Sequence, residues 1–408
     1  MTHLRVLTQF LLVTGLLSGC ATFQDFMGAP PAERGPVLPP LAEREELEPI
    51  SRNYFVLEAA GQTIIGEPQI VYTRDNDTFS GLAREYGLGY DELIAANPGV
   101  DPWLPGENVP VLLPTQYVLP EAPHRGIVLN IAAKRLFYFP EVADGEPTVV
   151  MTYPIGIGRV GWETPTGEAK VVAKATDPHW YVPWSVQQEH RKAGNPLPSI
   201  VPPGPENPLG RHVLQLNMPG YLIHGTNKPW GVGMRVSHGC VRLYPENIEL
   251  LYSLVMPGET VRLVNQPYLL GQRDGQVYLE AHAVLEDDTV SAEQHLATIF
   301  AGEMATDAGL VDDEGQRDHT RTIASEALGI PLRITAGDTL EVYARVRVVR
   351  NTVKTDPDAP TLAEVRELLD APPLSMDTLT EETSTDGSGG AATNVQAMDA
   401  TNPSNLDD

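Results

Sequence analysis

Cysteine is scarce in this sequence, since the 408 residues include only Cys20 and Cys240. Two cysteines exclude a disulfide framework, although they could form one bridge in an oxidising compartment. Basic residues are also few, because 28 Lys and Arg stand against 54 Asp and Glu, a formal net charge of −26. This balance argues against nucleic acid as a partner, since phosphate binding needs positive charge. The length predicts two to four domains with enough chain to bury a core.

The first cysteine ends an apolar N-terminal segment. Arg5 precedes an apolar run from Val6 to Leu17, which leads into Leu17-Ser18-Gly19-Cys20. The run is too short to span a bilayer comfortably and has the length of a signal peptide. It resembles a bacterial lipoprotein signal, which implies a signal peptide over 1–19, lipidation of Cys20 and a membrane anchor. The alternative is an ordinary signal peptide with an incidental cysteine.

The residues around this cleavage site predict a location. Ala21 after the cysteine is typical of outer-membrane sorting, so we expect the protein in the cell envelope, lipid-anchored on the periplasmic face. Residues 20–50 are rich in proline and charge and predict a semi-extended tether. If Cys20 is lipidated, Cys240 is the only free thiol of the mature chain and has no disulfide partner within it.

Residues 69–114 predict a small unit of strand, helix, helix and strand. Asp77-Thr78 can cap the first helix, and Pro98 stops the second. The unit resembles a LysM module, which implies binding to the glycan strands of peptidoglycan; a generic α/β module is the alternative. The matching residues are Tyr72, Asp77-Thr78, Leu82-Ala83, Tyr86, Leu93, Asn97-Pro98, Leu104, Gly106 and Pro114.

Residues 125–265 are predicted to be mostly strands. The segments "GIVLNI" and "RLFYF" are separated by "AAK", a spacing typical of a hairpin, and long helical periods are missing. A proline-rich stretch over 178–210 does not fit a central sheet. It predicts a long excursion with a short helix around 184–192, which is either a functional lid or a surface insertion.

The rest of the chain shows no recognisable chemistry. Residues 275–350 predict an α+β extension with a strand at "GQVYLEAHAVL", helices near 291–304 and 319–328, and a half-buried strand at "TLEVYARVRVV". From 354 to 408 the composition predicts an acidic disordered tail, apart from a short helix at "TLAEVRELLD".

Cys240 has the neighbours that a reactive thiol needs. A thiol becomes a strong nucleophile as a thiolate, and histidine is a natural base for its proton. His238 lies two residues away and can share a face with the thiol, while His224 lies further upstream. Gly239 permits an unusual backbone geometry that would aim the Gly239 and Cys240 amides at an oxyanion. The alternatives are a small core cysteine or half of a metal site.

The charge around this cysteine is distinctive. Residues 224–243 contain no Asp or Glu but include Lys228, Arg235 and Arg242. We expect this positive field to favour a thiolate and a substrate that carries carboxylates.

The order of these residues resembles a known family signature. His224-Gly225, then Ser237-His238-Gly239-Cys240-Val241-Arg242-Leu243, is similar to the motif of YkuD-type L,D-transpeptidases, in the Gram-negative branch that anchors lipoproteins or cross-links peptidoglycan. The resemblance covers about 125–265. It implies Cys240 as nucleophile, His224 as base and the Gly225 carbonyl as the group that orients the base.

The resemblance gives the remaining motif residues lesser roles. His238 supports catalysis, Ser237 and Arg242 bind substrate, and no cofactor or metal is needed. The implied fold is mainly β: a YkuD-like β-sandwich catalytic domain preceded by the βααβ LysM module and followed by the α+β extension and the disordered tail.

The resemblance also implies a reaction. Cys240 attacks the third stem residue, meso-diaminopimelate, of a tetrapeptide stem of peptidoglycan and releases D-Ala. The acyl group then passes to an amine of another stem, to a lysine of an outer-membrane lipoprotein, or to water. Carbapenems are expected to acylate the same cysteine. The alternative function is a non-catalytic peptidoglycan-binding lipoprotein.

Overall fold

The computed structural model describes residues 46–50, 53–58, 61–143, 145–302, 305–306, 314–334 and 346–354, which all belong to the unit Pro39–Asp408. The predicted signal peptide, Cys20, most of the tether and the tail beyond 354 lie outside these residues. No helix in the described part of the chain is long and apolar enough to cross a membrane.

The N-terminal part of the described chain contains five short strands and two helices. They are β1 (Tyr54–Val56), β2 (Ile64–Gly66), β3 (Gln69–Tyr72), α1 (Phe79–Glu85), α2 (Tyr90–Ala96), β4 (Pro110–Leu113) and β5 (Gln116–Val118).

The central part carries most of the strands. They and their helices are β6 (Gly126–Asn130), β7 (Arg135–Phe139), β8 (Val149–Pro154), β9 (Ile157–Gly158), β10 (Gly167–Thr176), β11 (Trp180–Tyr181), α3 (Trp184–Lys192), β12 (Ile200–Val201), β13 (His212–Leu216), β14 (Leu222–His224), β15 (Arg235–Ser237), β16 (Val241–Arg242), α4 (Pro245–Leu254) and β17 (Thr260–Val264).

In the C-terminal part, the described residues include a small sheet and the helices named here. These elements are β18 (Tyr268–Arg273), β19 (Gln276–Ala281), α5 (Ala292–Ala301), α6 (Glu314–Glu326), β20 (Leu332–Arg333) and β21 (Arg347–Val349).

Within the described residues the main sheet has nine strands in the order β1-β8-β7-β6-β17-β10-β13-β14-β16. Strand β10 joins its two halves, because its first residues pair with β17 and its later residues pair with β13 after a bulge at Val171–Ala173. Side chains from both halves meet in one core, which agrees with the predicted β-sandwich. This core includes Leu129, Leu216, Ile223 and Val261.

Alternation along the strands gives the sheet a second buried face. On β7, Leu136 and Tyr138 enter the first core, while Phe137 and Phe139 enter another cluster with α1 and α2. Successive side chains of a strand point to opposite faces, so both faces of this sheet are covered. The βααβ unit therefore packs on the back of the main sheet.

The strand and helix order predicted for residues 69–114 is the order found, as β3-α1-α2-β4. The Thr78 hydroxyl accepts from the Gly81 amide, so the predicted cap of α1 is confirmed. The unit is not separate, however, because it shares its apolar core with the sheet behind it. The identification of a LysM module stays a prediction.

The end of the predicted tether lies against the fold. Leu47 donates to the Val348 carbonyl at 3.1 Å and accepts from the Arg350 amide at 2.8 Å. Strand β21 in turn pairs in parallel with β3, so the βααβ sheet gains a third strand from the C-terminal part of the chain. The prediction of a tether up to residue 50 is wrong for 46–50, since Leu47 holds this segment against the sheet.

The extension begins earlier than predicted. Strand β18 pairs with β19 in an antiparallel hairpin closed at Asp274-Gly275, so the boundary at 275 would divide one hairpin. Helices α5 and α6 confirm the two predicted helical regions, although α6 begins five residues earlier, at Glu314. Of the predicted strand "TLEVYARVRVV", the described residues include only its last part, β21.

Candidate active site

Two parallel strands bring the predicted nucleophile and base together. Strands β14 and β16 pair with His224 opposite Arg242. Ile223 of β14 and Val241 of β16 both enter the core. Side chains alternate along a strand, so the face of these strands away from the core carries His224 and Arg242. Cys240, two residues before Arg242, lies on the same face.

Cys240 lies in a tight turn over residues 237–240, which we call the cysteine turn. Gly239 has a φ of +97°, and a Cβ there would lie 3.0 Å from the Tyr221 ring, so this position requires glycine. The Thr164 hydroxyl donates to the Gly239 carbonyl at 2.9 Å and accepts from the Gly158 amide at 3.0 Å. The turn is therefore held from the 158–164 segment as well as by its own strands.

Ser237 is bonded to the backbone of the predicted nucleophile. Its side chain is buried, and its hydroxyl donates to the Cys240 carbonyl at 2.6 Å. The hydroxyl thus closes the turn of the motif on itself. In the structure Ser237 holds the Cys240 backbone, and substrate binding by Ser237 stays a prediction.

His224 is held as a neutral base. Its Nδ1 lies 2.6 Å from the Gly225 carbonyl oxygen, and the ring also hydrogen-bonds the Leu209 backbone. A carbonyl only accepts, so Nδ1 carries the proton and Nε2 keeps a lone pair for a proton from another group. Burial, followed by the Arg242 charge, lowers the pKa of His224 from 6.5 to about 3. The imidazole is therefore uncharged at neutral pH.

Cys240 is a free thiol in a mostly apolar setting. It packs against Leu209, Val213 and Leu222, and its Sγ lies 3.5 Å from the Gly220 carbonyl oxygen. Burial raises the pKa of the thiol, and a backbone hydrogen bond from Leu222 and the Arg242 charge oppose that rise. The Arg242 charge favours the thiolate, as expected, but burial outweighs it, so the protonated thiol is the favoured form.

Arg242 supplies the positive charge nearest to both reactive groups. It lowers the pKa of His224 and that of the Cys240 thiol. Its Nε is buried and has no hydrogen-bond partner among the described residues. A buried guanidinium donor without a partner costs free energy unless a ligand supplies an acceptor. Arg242 thus has a donor to offer to a ligand.

Carboxylates contact the 224–243 segment in the folded chain, although the segment itself contains no Asp or Glu. Arg235 pairs with Asp287 of the extension, and His238 lies 3.0 Å from a Glu189 carboxylate oxygen. Both acids come from segments outside 224–243, so a count along the sequence missed them. His238 also packs edge-on against Trp162, with ring centroids 4.8 Å apart.

Several residues of the site were missed by the sequence analysis. The side chains that line or hold the cysteine turn include those of Tyr221, Thr164, Arg159, Glu189 and Trp162. Tyr221 stands three residues before His224, so an aromatic beside the strand was a usable signal. The others are distant in sequence from the motif, and no local spacing indicates them. In the parts of the chain that the structure describes, no three His, Cys, Asp or Glu side chains group as metal ligands.

The site has a free thiol and a neutral histidine at two paired strands of a β-rich scaffold, and similar sequences identify its family. The YkuD family, described as an L,D-transpeptidase catalytic domain, matches residues 124–263. "Probable L,D-transpeptidase YcfS" of Escherichia coli K12 is 38% identical over 245 residues, which cover 59% of this chain and 75% of that protein. "Probable L,D-transpeptidase YbiS" of the same strain is 36% identical over 288 residues, covering 69% and 91%.

A third relative agrees. "Probable L,D-transpeptidase ErfK/SrfK" of Salmonella typhimurium LT2 is 32% identical over 287 residues, covering 69% of this chain and 91% of the relative. The chain belongs to the L,D-transpeptidase family, with a YkuD-type catalytic domain. The family resemblance seen in the motif around Cys240 is thereby confirmed.

Proposed function

We propose that this chain is a peptidoglycan L,D-transpeptidase with Cys240 as its nucleophile and His224 as its base. The observation that carries the proposal is the fixed Nδ1–H tautomer of His224. His224 lies on β14, which pairs with β16, and the free thiol of Cys240 directly precedes β16. A histidine fixed in this way keeps Nε2 open to a proton from sulfur, which is the function of a general base.

The first half of the reaction forms a thioester. His224 takes the thiol proton as the Cys240 sulfur attacks the carbonyl carbon of meso-diaminopimelate, the third residue of a tetrapeptide stem. The backbone amides of Gly239 and Cys240 are the proposed donors to the oxyanion. When the intermediate collapses, the C–N bond to D-Ala breaks and His224 returns the proton to the departing amine.

The second half transfers the acyl group. An acceptor amine loses a proton to His224 as it attacks the thioester carbonyl, and the sulfur leaves and takes that proton back. An amine on another stem gives a 3-3 cross-link, and a lysine of an outer-membrane lipoprotein ties the membrane to the wall. Water as the acceptor would make the enzyme a carboxypeptidase. Arg242, whose buried Nε has no partner among the described residues, is the proposed contact for a substrate carboxylate.

The other parts of the chain fit this function. A LysM module over 69–114 would bind glycan strands and hold the enzyme on its substrate. A lipid on Cys20 would anchor the chain in the cell envelope, on the periplasmic face of the outer membrane. The βααβ unit shares an apolar core with the sheet that carries the site. Glycan bound to this unit would therefore be held at a fixed position relative to Cys240.

The test compares the chain with its Cys240→Ala variant. Each is incubated with tetrapeptide muropeptides, and mass spectrometry measures acyl-enzyme and released D-Ala. We expect both products with the unmodified chain and neither with the variant. Equal behaviour of the two proteins would exclude Cys240 as nucleophile. Adding a stem amine or a lysine peptide to the same reaction identifies the acceptor.

The lipid anchor has its own test. Palmitate labelling that persists in a Cys20→Ala variant would contradict the anchor.

A further inference from the structure

The side chain of Glu189 joins helix α3 of the proline-rich excursion to the two sides of the cysteine turn. One carboxylate oxygen accepts from the Arg159 guanidinium, and the other lies 3.0 Å from His238 Nε2. Arg159 follows β9, and His238 directly precedes Gly239. Glu189 therefore bridges two segments that meet at the reactive cysteine, from an element that belongs to neither.

This cluster is mostly buried and carries opposite charges. The three side chains are each exposed by a quarter or less. Hydrogen bonds and charges from His238 and Arg159 outweigh burial and lower the pKa of Glu189 to about 2, so its carboxylate is ionised. An ionised acceptor makes charge-assisted hydrogen bonds, which are shorter and stronger than neutral ones.

The residues that Glu189 holds are themselves tied to the cysteine turn. The Arg159 amide donates to the Ser237 carbonyl at 3.1 Å. Two residues on from Ser237, the Gly239 carbonyl accepts from Thr164, which also accepts from the Gly158 amide. A shift of Arg159 or His238 would therefore be passed to the Gly239 and Cys240 amides through short, direct contacts.

Most of helix α3 is half-buried or exposed. Val186 is its one fully buried residue, and Gln187 bonds back to Val182 within the same excursion. Trp184 at its start is largely exposed. A nine-residue helix with one buried side chain is not stable by itself in water. The Glu189 contacts are thus a principal attachment of α3 to the catalytic domain.

We propose that Glu189 is a positioning residue, which holds helix α3 closed over the cysteine turn and fixes Arg159 and His238 so that the Gly239 and Cys240 amides face the oxyanion. This inference rests on the proposed function. It makes helix α3 a lid that the Glu189 carboxylate fastens to the cysteine turn, rather than part of a surface insertion. It also gives His238 a definite role, because its ring transmits the position of the lid to the turn and does not take the thiol proton.

A competing interpretation assigns Glu189 the place of a substrate carboxylate. In that case the acid would occupy Arg159 and His238 only until the stem peptide displaced it, and its removal would help binding. The two interpretations differ in sign. Positioning predicts that loss of the carboxylate lowers the rate of acylation, whereas competition predicts a lower half-saturating substrate concentration.

The experiment uses the full chain with Glu189→Gln, Glu189→Asp and, as a matched control, Glu249→Gln on the exposed side of α4. Single-turnover acylation by tetrapeptide muropeptide gives the limiting rate and the half-saturating concentration. Misplaced catalytic groups cost up to about 100-fold, so we expect Glu189→Gln to lower the limiting rate roughly 10- to 100-fold with little change in half-saturation. Glu189→Asp should recover part of the rate, and the control should match the unmodified chain.

Hydrogen exchange provides a readout that does not need activity. Amides of 184–192 and 237–240 should exchange faster in Glu189→Gln than in the control, while the amides of β6 and β7 should not change. An unchanged rate together with unchanged exchange would overturn the proposal, and so would a gain in substrate affinity. If the unmodified chain formed no acyl-enzyme, the proposed function would fail, and exchange would still decide whether Glu189 holds α3.

Discussion

A buried ion pair joins the βααβ unit to the catalytic sheet and allows a sharp test of that packing. Arg135 of β7 and Glu92 of α2 lie 2.6 Å apart, with side chains only 2% and 8% exposed. The guanidinium also contacts the Gly87 carbonyl and stacks 4.1 Å from the centroid of the Tyr117 ring. The Glu92 carboxylate also accepts from the Gly89 amide at the start of α2.

The change to make is Glu92→Gln, which keeps an acceptor for the Gly89 amide and removes the charge. It leaves the Arg135 guanidinium buried and without its counter-ion. Breaking a buried pair from one side costs about 3–5 kcal/mol, because the remaining charge can neither pair nor reach water. That loss is a large share of a typical unfolding free energy of about 5–15 kcal/mol.

The chain contains a matched control for this change. Arg84 of α1 and Glu246 of α4 join the same two regions at 3.0 Å, but their side chains are 36% and 50% exposed. Exposed pairs contribute about 0–1 kcal/mol, so Glu246→Gln should cost about 1 kcal/mol or less, including its place near the start of α4. Both variants carry the same chemical substitution and differ in burial.

The assay is urea unfolding followed by far-UV circular dichroism. We expect Glu92→Gln to lower the unfolding free energy by at least about 2 kcal/mol more than Glu246→Gln does. A double variant with Arg135→Met should recover part of the loss, because it removes the stranded charge. Equal losses in the two single variants would refute the argument that burial of this pair couples the unit to the sheet.

The remaining predictions concern the site. His224→Ala should lower acylation of Cys240 by a carbapenem roughly 100- to 10,000-fold, the range for a lost general base, while His238→Ala should only weaken it; the reverse order would exchange their roles. Because the pKa of His224 is lowered to about 3, the base stays neutral on acidification, so the acylation rate should not fall between pH 8 and pH 5; an acid limb near 6.5 would contradict this. Gly239→Ala should slow acylation at least about 10-fold, since its φ of +97° strains any side chain; native-like kinetics would show that the turn tolerates a Cβ.

The parts of the fold that depend on local pattern could be predicted. The short spacing between two apolar runs identified the β6–β7 hairpin, and Asp77-Thr78 marked the start of α1. The short helix expected around 184–192 within the proline-rich stretch is found at Trp184–Lys192. In each case neighbouring residues in the sequence carry the whole signal, so one chain was sufficient.

The parts that depend on tertiary pairing could not be predicted. Strand β21 completes the sheet of the βααβ unit by pairing with β3. It begins at residue 347, which is 278 positions after the start of β3 at residue 69. Glu189 reaches His238 across 49 positions, and Arg135 reaches Glu92 across 43. Acidic residues are common throughout this chain, so nothing in their composition or spacing distinguishes these two.

Burial changes what the positive charges near Cys240 imply for its chemistry. The sequence placed cations around Cys240 and suggested a thiolate, but burial raises the pKa of the thiol and lowers that of His224. Burial disfavours each charged form, so the proton stays on sulfur in the resting state. In the proposed mechanism His224 takes the proton only as the sulfur attacks, when the oxyanion donors can stabilise the negative charge that develops on the substrate. A site of this kind has little nucleophilicity in the absence of substrate, and its reactivity depends on how accurately the cysteine turn is held, which is the role that we assign to Glu189.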